Sequence, residues 1–257
     1  MRALVTGNLG FIGGYIHDKV GGCGMDKKRL GGDCCNPSNF PRGRTDVIFH
    51  AACDASIPYS LEHPQNSNTN NIGALINTLE HAKENGCPVI YSSSSSIYGD
   101  VQTPYSLQKN MGEQYCRLYW ELYNVPSVCL RYFNVYGEGQ PDHGAYKLAL
   151  GIFLRQYKQG KPFTMVGTGE QRRDFVYIDD VVEANLQAYK QADGFYVYDV
   201  GTGTNHSINE VADMIDPDHP TTELPPRVEP FENKAELTKG FDWRPRKSLR
   251  AWLQHQS

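Results

Sequence analysis

Three glycines, Gly7, Gly10 and Gly13, separate a short apolar run, Ala3-Leu4-Val5, from an amphipathic stretch that opens near Ile12. A strand that ends in such a turn and reopens as a helix constrains this chain more than any other feature. Glycine permits the tight turn, a close approach of backbone to pyrophosphate, and close packing of helix on strand. The helix N-terminus then supplies free N–H groups and positive partial charge. Thr6-Gly7-Asn8-Leu9-Gly10-Phe11-Ile12-Gly13 therefore reads as a phosphate cradle. An acid about twenty residues on should bind the adenosine ribose. Asp26, nineteen residues after Gly7 and next to a short strand Cys23-Gly24-Met25, holds that place and favours NAD over NADP. Lys27, Lys28 and Arg29 follow at once, and as cations they could hold a 2′-phosphate.

Strand and helix patterns alternate through the first half. Strands are expected at Ala3-Leu4-Val5, Asp46–His50, Val89-Ile90-Tyr91 and Val128–Phe133. Between them, residues 68–85 place Ile72, Leu75, Ile76 and Leu79 on one helical face, and residues 105–123 repeat Met111, Tyr115, Leu118 and Leu122 at helical spacing. This alternation predicts an α/β fold, a Rossmann-type doubly wound parallel sheet covered by helices on both faces. Beyond Gly137 the pattern changes. It predicts a helix near 146–158, strands at Phe163–Val166, Phe175–Ile178 and Phe195–Val200, helices from Asp179 and from Ser207, and a short terminal helix at Leu249–Leu253. The expected division is a nucleotide-binding domain over 1–135 and a smaller α/β substrate-binding domain over 136–257, with the chain crossing back once.

The 257 residues suffice for a sizeable core, which excludes intrinsic disorder and a small disulfide scaffold. With 25 Lys+Arg, 29 Asp+Glu and no basic run, the chain lacks the electrostatic footprint of a nucleic-acid binder. Seven cysteines form no CxxC pair, and the eight histidines add no zinc spacing, so no metal is expected and the thiols read as reduced. No run of about 18 apolar residues suggests a membrane span. A soluble cytoplasmic protein is the expectation.

Tyr105 and Lys109 stand four apart at the start of a helix and share one face. An ammonium beside a phenol favours the phenolate, which equips tyrosine to act as a base near neutral pH. Ser94, at the end of a neighbouring strand, could fix a substrate oxygen. Tyr-x-x-x-Lys alone is common surface decoration; joined to the glycine triplet and a strand-end serine it becomes a constellation.

With those residues in view, the sequence resembles the extended short-chain dehydrogenases/reductases of the nucleotide-sugar epimerase/dehydratase family. TGNLGFIG, DVIFHAA (46–52), SSSSSIYG (92–99), YSLQK (105–109), LRYFNVYG (130–137), RRDFVYIDDVV (172–182) and VGTG (200–203) occur in the family's order and span nearly the whole chain. The resemblance implies catalytic roles for Ser94, Tyr105 and Lys109. It implies an NAD site at Gly7, Asn8, Leu9, Gly10, Phe11, Ile12, Gly13, Asp26, Asp33, Cys34, Ala51, Ala52, Asn70, Tyr132 and Phe133, together with Tyr105 and Lys109. Ser94, Ser96, Asn134, Arg173 and Arg227 are implied to contact the sugar nucleotide, the arginines suiting its diphosphate.

Within the family, dehydratases carry an Asp-Glu pair after the active-site hydroxyl residue and sugar-acid decarboxylases carry a Glu. Here Ser95 and Ser96 stand there, a pattern that 4-epimerases show. The implied activity is 4-epimerisation of a UDP-hexose of the UDP-glucose/UDP-galactose type through a transient 4-keto sugar. Another enzyme of the family, or a non-catalytic dinucleotide sensor, is the alternative. Relatives pair through the helices matching 68–85 and 105–123, so a homodimer is implied, although Leu118, Trp120 and Leu122 fit a core-facing stripe equally well. The chain departs from the family in being compressed at Val20-Gly21-Gly22-Cys23, between Asp33 and Asp46, between Tyr98 and Tyr105, and from Thr221 to Lys234.

Overall fold

The computed structural model describes residues 1–99, 102–141, 148–226 and 230–256. Its first half lays down β1 (Ala3–Thr6), α1 (Phe11–Val20), β2 (Cys23–Met25), β3 (Val47–His50), α2 (Ile57–Glu62), α3 (Pro64–Asn68), α4 (Ala74–Asn85), β4 (Val89–Ser94), α5 (Pro104–Tyr123) and β5 (Ser127–Tyr132). Then follow β6 (Asn134–Tyr136), α6 (Ala149–Lys158), β7 (Phe163–Val166), β8 (Arg172–Tyr177), α7 (Ile178–Lys190), β9 (Phe195–Val200), β10 (Asn205–Ser207), α8 (Ile208–Ile215), β11 (Thr221–Leu224), β12 (Glu232–Asn233) and α9 (Leu249–Leu253).

Six strands form one parallel sheet in the order β2-β1-β3-β4-β5-β9. Successive side chains of its inner strands go to opposite faces. Val5, Phe49, Ile90 and Val128 enter one apolar cluster with Ile16 of α1 and Val181 of α7. Leu4, Ile48, Val89 and Cys129 enter another with Leu75 and Leu79 of α4 and Cys116 of α5. Both faces are therefore covered, which is why these strands read as continuous apolar runs rather than as alternating ones. The sheet is the doubly wound Rossmann type expected from the sequence. From β1 the chain steps outward to β2 and then back past β1 to β3, so the order reverses at β1 and β3. A crevice forms outside the carboxyl ends of strands at such a reversal, and ligands of open α/β sheets bind there.

The remaining strands are short. β8 pairs with β10 and β12 along its first half and with β6 along its second, and β7 pairs with β11. A third apolar cluster built on Tyr136, Phe153, Phe163 and Trp252 lies beneath them. β9 returns to the large sheet beside β5.

Three differences from the sequence reading have physical causes. The helix expected from Asn68 begins at Pro64 and is interrupted by one π-helical turn, Thr69–Gly73, before α4. That turn lets the amides of Asn70 and Asn71 reach Asp54, at 2.5 Å to a carboxylate oxygen and 3.1 Å to the backbone carbonyl. α2 was unforeseen, although Ser56 caps it by accepting from Tyr59 N–H. β6, β10, β11 and β12 were unforeseen because two- to four-residue strands carry little periodicity. Among the described residues every cysteine is free, no cluster of metal-ligating side chains occurs, and no helix is long and apolar enough to cross a membrane.

Candidate active site

The glycine-rich turn sits in the crevice. Gly7 has φ +72, and a Cβ there would lie 2.7 Å from Ala52 N; a Cβ on Gly13 would lie 2.2 Å from the Gly7 carbonyl oxygen. Neither position tolerates a side chain, so β1, the Ala51-Ala52 segment after β3, and α1 meet backbone to backbone. Gly10 is the N-cap of α1; no side chain caps it, and no acid occupies the first turn. The first N–H groups of Phe11, Ile12 and Gly13 and the positive end of the helix dipole are thus left for an anion. Asn8 Oδ1 is buried without a hydrogen-bond partner nearby. The free N–H groups and the helix dipole are what a pyrophosphate needs, to which Asn8 Oδ1, an acceptor, adds nothing, and the segment fits a dinucleotide.

Asp26 is buried at the carboxyl end of β2 and accepts from Leu9 N–H (3.1 Å) and Lys28 N–H (2.9 Å). Its carboxylate and the glycine turn form one unit. Asp33 is exposed and accepts from Cys35 N–H, whereas Cys34 is buried and burial pushes its thiol up to about 12. Asn70 donates to Asp54 and receives the Cys35 thiol at 3.6 Å. Tyr132 turns its ring into the core, its hydroxyl bonded to Ser92 and Asn185, while the buried Phe133 ring packs 6.3 Å from that of Tyr98.

The Tyr–Lys pair is set by the start of α5. Thr103 is the N-cap: its hydroxyl accepts from Ser106 N–H (3.1 Å), and the Ser106 hydroxyl accepts from Thr103 N–H (2.8 Å). This reciprocal box, with Pro104 at the first position, fixes where the helix begins. Tyr105 and Lys109 follow on its inward face, both buried, with the ammonium 5.8 Å from the Tyr105 ring centroid. Lys109 donates to the Ser92 carbonyl at 2.6 Å, stands 5.0 Å from the Tyr91 ring centroid, and touches the Cys53 thiol. Burial alone would discharge it, but Cys53, Tyr91 and Tyr105 outweigh that and hold its pKa above the usual lysine value. Ser94, the last residue of β4, accepts from Ser96 N–H at 3.1 Å and caps the short turn Ser95–Ile97, on which α5 packs.

Sequence reasoning missed the strut that carries this arrangement. Glu113, four residues beyond Lys109, takes Arg131 Nε and Nη2 at 2.9 and 2.7 Å and the Ser93 hydroxyl at 2.6 Å. Arg131 Nη1 donates to Tyr98, whose hydroxyl donates to Asp199 of β9. Asp174 of the RDF motif is fully buried and accepts from Thr202 N–H, the Thr202 hydroxyl, Gly203 N–H and Ala235 N–H. An arginine spaced from a glutamate in sequence gives no sign of such a contact.

Of the residues expected on the sugar nucleotide, Ser96 Oγ is buried without a partner, and Asn134 Nδ2 donates to the Asp174 carbonyl at 2.7 Å. Arg173 donates to the carbonyls of Arg172 and Phe231. Arg227 lies outside the described residues. Asn233, not foreseen, donates to Ser95 Oγ at 3.0 Å and keeps a buried, unpartnered Oδ1. A separate cavity lined by Met1, Arg44, Asn85 and Tyr189 lies by the amino ends of β1 and β3, at the opposite end of the sheet from these groups.

Residues 3–201 match the NAD dependent epimerase/dehydratase family. A putative UDP-glucose 4-epimerase of Methanocaldococcus jannaschii is 31% identical over 248 residues, covering 82% of this chain and 80% of that protein. The UDP-glucose 4-epimerase of Mycolicibacterium smegmatis is 30% identical over 89% of this chain and 87% of its own. Among solved structures, the Thermotoga maritima UDP-glucose 4-epimerase with UDP-glucose superimposes with a TM-score of 0.88 at 26% identity, covering 99% of this chain and 96% of that one. The Thermus thermophilus UDP-glucose 4-epimerase complex with NAD gives 0.83 at 27%, covering 99% and 97%. A UDP-N-acetyl-alpha-D-glucosaminuronate decarboxylase of Bacillus cytotoxicus is also similar, at 26% over 83% of this chain and 79% of its own. On this match across most of its length, and on a glycine turn that fits the dinucleotide, the chain belongs to the NAD dependent epimerase/dehydratase family.

Proposed function

We propose that this chain is a UDP-hexose 4-epimerase. The observation that carries the reading is the buried Tyr105–Lys109 pair beside a strand-end Ser94 that is followed by Ser95 and Ser96. A second acid–base pair, needed to remove water or CO2, is absent from those two positions.

In this reading the Tyr105 phenolate takes the proton of the sugar 4-hydroxyl, and Ser94 holds the same oxygen by a hydrogen bond. Lys109 keeps the phenolate populated by its charge. NAD held by the glycine turn and Asp26 would supply reversible hydride acceptance at C4. Asn134, Arg173 and Arg227 grip the nucleotide's diphosphate, so binding energy far from C4 retains the keto sugar while it turns over. Small hydroxyl side chains around C4 leave room for that rotation. The cradle 7–13, Asp26, Asp33, Cys34, Ala51, Ala52, Asn70, Tyr132 and Phe133 form the dinucleotide site, within a domain of residues 1–135. Residues 136–257 supply the sugar-nucleotide side. Seven free thiols suit a reducing cytoplasm. Leu118 and Leu122 of α5 are 43% and 60% exposed, which supports pairing of two copies through α4 and α5.

The test is incubation with UDP-galactose, UDP-GalNAc and UDP-galacturonate, followed by NMR without added reductant. Inversion at C4 with unchanged mass is expected. Loss of water or CO2 would reject the reading, as would full turnover by Tyr105→Phe.

A further inference from the structure

Lys27 and Asp54 form an ion pair across the mouth of the crevice. Lys27 follows β2, Asp54 follows β3, and β1 lies between those strands in the sheet. The bridge therefore arches over the carboxyl end of β1, where the glycine turn begins. Its acid is the anchored partner: the Asp54 side chain is only 14% exposed, against 55% for Lys27. Asn70 Nδ2 donates to its second carboxylate oxygen at 2.5 Å. Its backbone is clamped by Asn71, which accepts from Asp54 N–H at 2.7 Å and donates to the Asp54 carbonyl at 3.1 Å. Asn71 also donates to Gln108 Oε1 at 2.7 Å, so the clamp rests on the helix that carries Lys109.

Lys27 is the cation next in the chain to Asp26, on which the ribose is placed in the reading above. If Lys27 left Asp54 for a 2′-phosphate, a largely buried carboxylate would keep only a neutral amide as partner, and such a group loses far more than an exposed one. We propose that Asp54 is a specificity-determining residue for the dinucleotide: by holding Lys27 it withholds that cation from a 2′-phosphate and makes the chain select NAD over NADP. Asp26 disfavours the phosphate by its own charge; Asp54 acts by sequestering the nearby positive one. Lys28 and Arg29, also close in sequence, are common to every variant below and cancel in the comparison.

The experiment is equilibrium dialysis of the full chain against equimolar NAD and NADP, followed by release and chromatographic counting of both dinucleotides. Asp54→Asn should raise the bound NADP:NAD ratio roughly tenfold, the value of one charge-assisted hydrogen bond. Lys27→Met added to Asp54→Asn should return the ratio to that of the parent. Lys27→Met alone should change it less than twofold, and this arm stands even where Asp54→Asn does not fold. An unchanged ratio in a folded Asp54→Asn, a gain that survives the second substitution, or a fivefold loss of NADP from Lys27→Met alone would each overturn the proposal. A parent chain that takes up neither dinucleotide would remove the cofactor site itself, a different failure.

Discussion

Glu113 and Arg131 meet as a two-pronged pair between α5 and β5, with Nε and Nη2 of the guanidinium at 2.9 and 2.7 Å from the two carboxylate oxygens. Glu113 is buried and Arg131 half-buried. The pair fixes α5 against the sheet one turn beyond Lys109, so it sets where the face of that helix bearing Tyr105 and Lys109 lies. Breaking a buried pair from one side strands a charge and costs about 3–5 kcal/mol. Arg131→Ala should lose that much unfolding free energy in urea, read by circular dichroism. A loss under about 1 kcal/mol would show that the pair does not hold the helix.

The Lys109 ammonium lies 5.8 Å from the centroid of the Tyr105 ring. Lys109→Met should move the acidic limb of the kcat–pH profile upward, because the phenol then ionises without its ammonium neighbour. Activity at pH 7 should fall by about 10²–10⁴, the usual worth of a positioned acid–base group. An acidic limb at the parent's pH would reject the electrostatic role.

His50 gives the fold a pH dependence. Its Nδ1 lies 3.0 Å from the hydroxyls of both Thr6 and Thr78, its Nε2 has no partner, and burial, with Lys109 nearby, depresses its pKa to about 3. Unfolded histidine titrates near 6.5. Between these values the unfolded chain binds a proton that the folded chain does not, so stability is fully present above about 6.5 and is lost as pH falls toward 3. The slope from this residue approaches about 1.4 kcal/mol per pH unit. Urea midpoints measured from pH 4 to 7 should rise with pH, and His50→Gln should flatten the rise. An equally steep curve in the variant would assign it elsewhere.

Gly13→Ala places a Cβ at 2.2 Å from the Gly7 carbonyl oxygen, a backbone atom with nothing flexible to yield. Strain of about 1–3 kcal/mol is expected. The opened turn should also retain less NAD, counted after gel filtration. A variant with the parent's melting temperature and dinucleotide content would mean that α1 need not approach β1 so closely.

How much of this was legible beforehand differs by residue. The strand–turn–helix at 3–20 and the placement of Tyr105 and Lys109 could be read because each is local: glycine spacing and a four-residue interval act within one or two turns of chain. The strands at Phe163–Val166 and Phe195–Val200 and the helix at Leu249–Leu253 fall where the pattern placed them. Leu118 and Leu122, equally consistent with a core stripe in the sequence, are exposed, because α5 turns Cys116 and Tyr119 toward the sheet instead. Periodicity defines a face but not which of two faces finds a partner.

The parallel sheet, the glycine turn and the inward face of α5 that bears Tyr105 and Lys109 were legible in the chain, since they depend on local backbone conformation and hydrophobic period. Packing alone settles that Glu113 meets Arg131, that Asp174 collects the turn at Thr202-Gly203, and that Lys27 is committed to Asp54. Those contacts join residues 18, 28 and 27 positions apart or more, each charge being satisfied by whatever the packed strands bring beside it. A buried charge must find a partner on folding, but chain connectivity does not say which one.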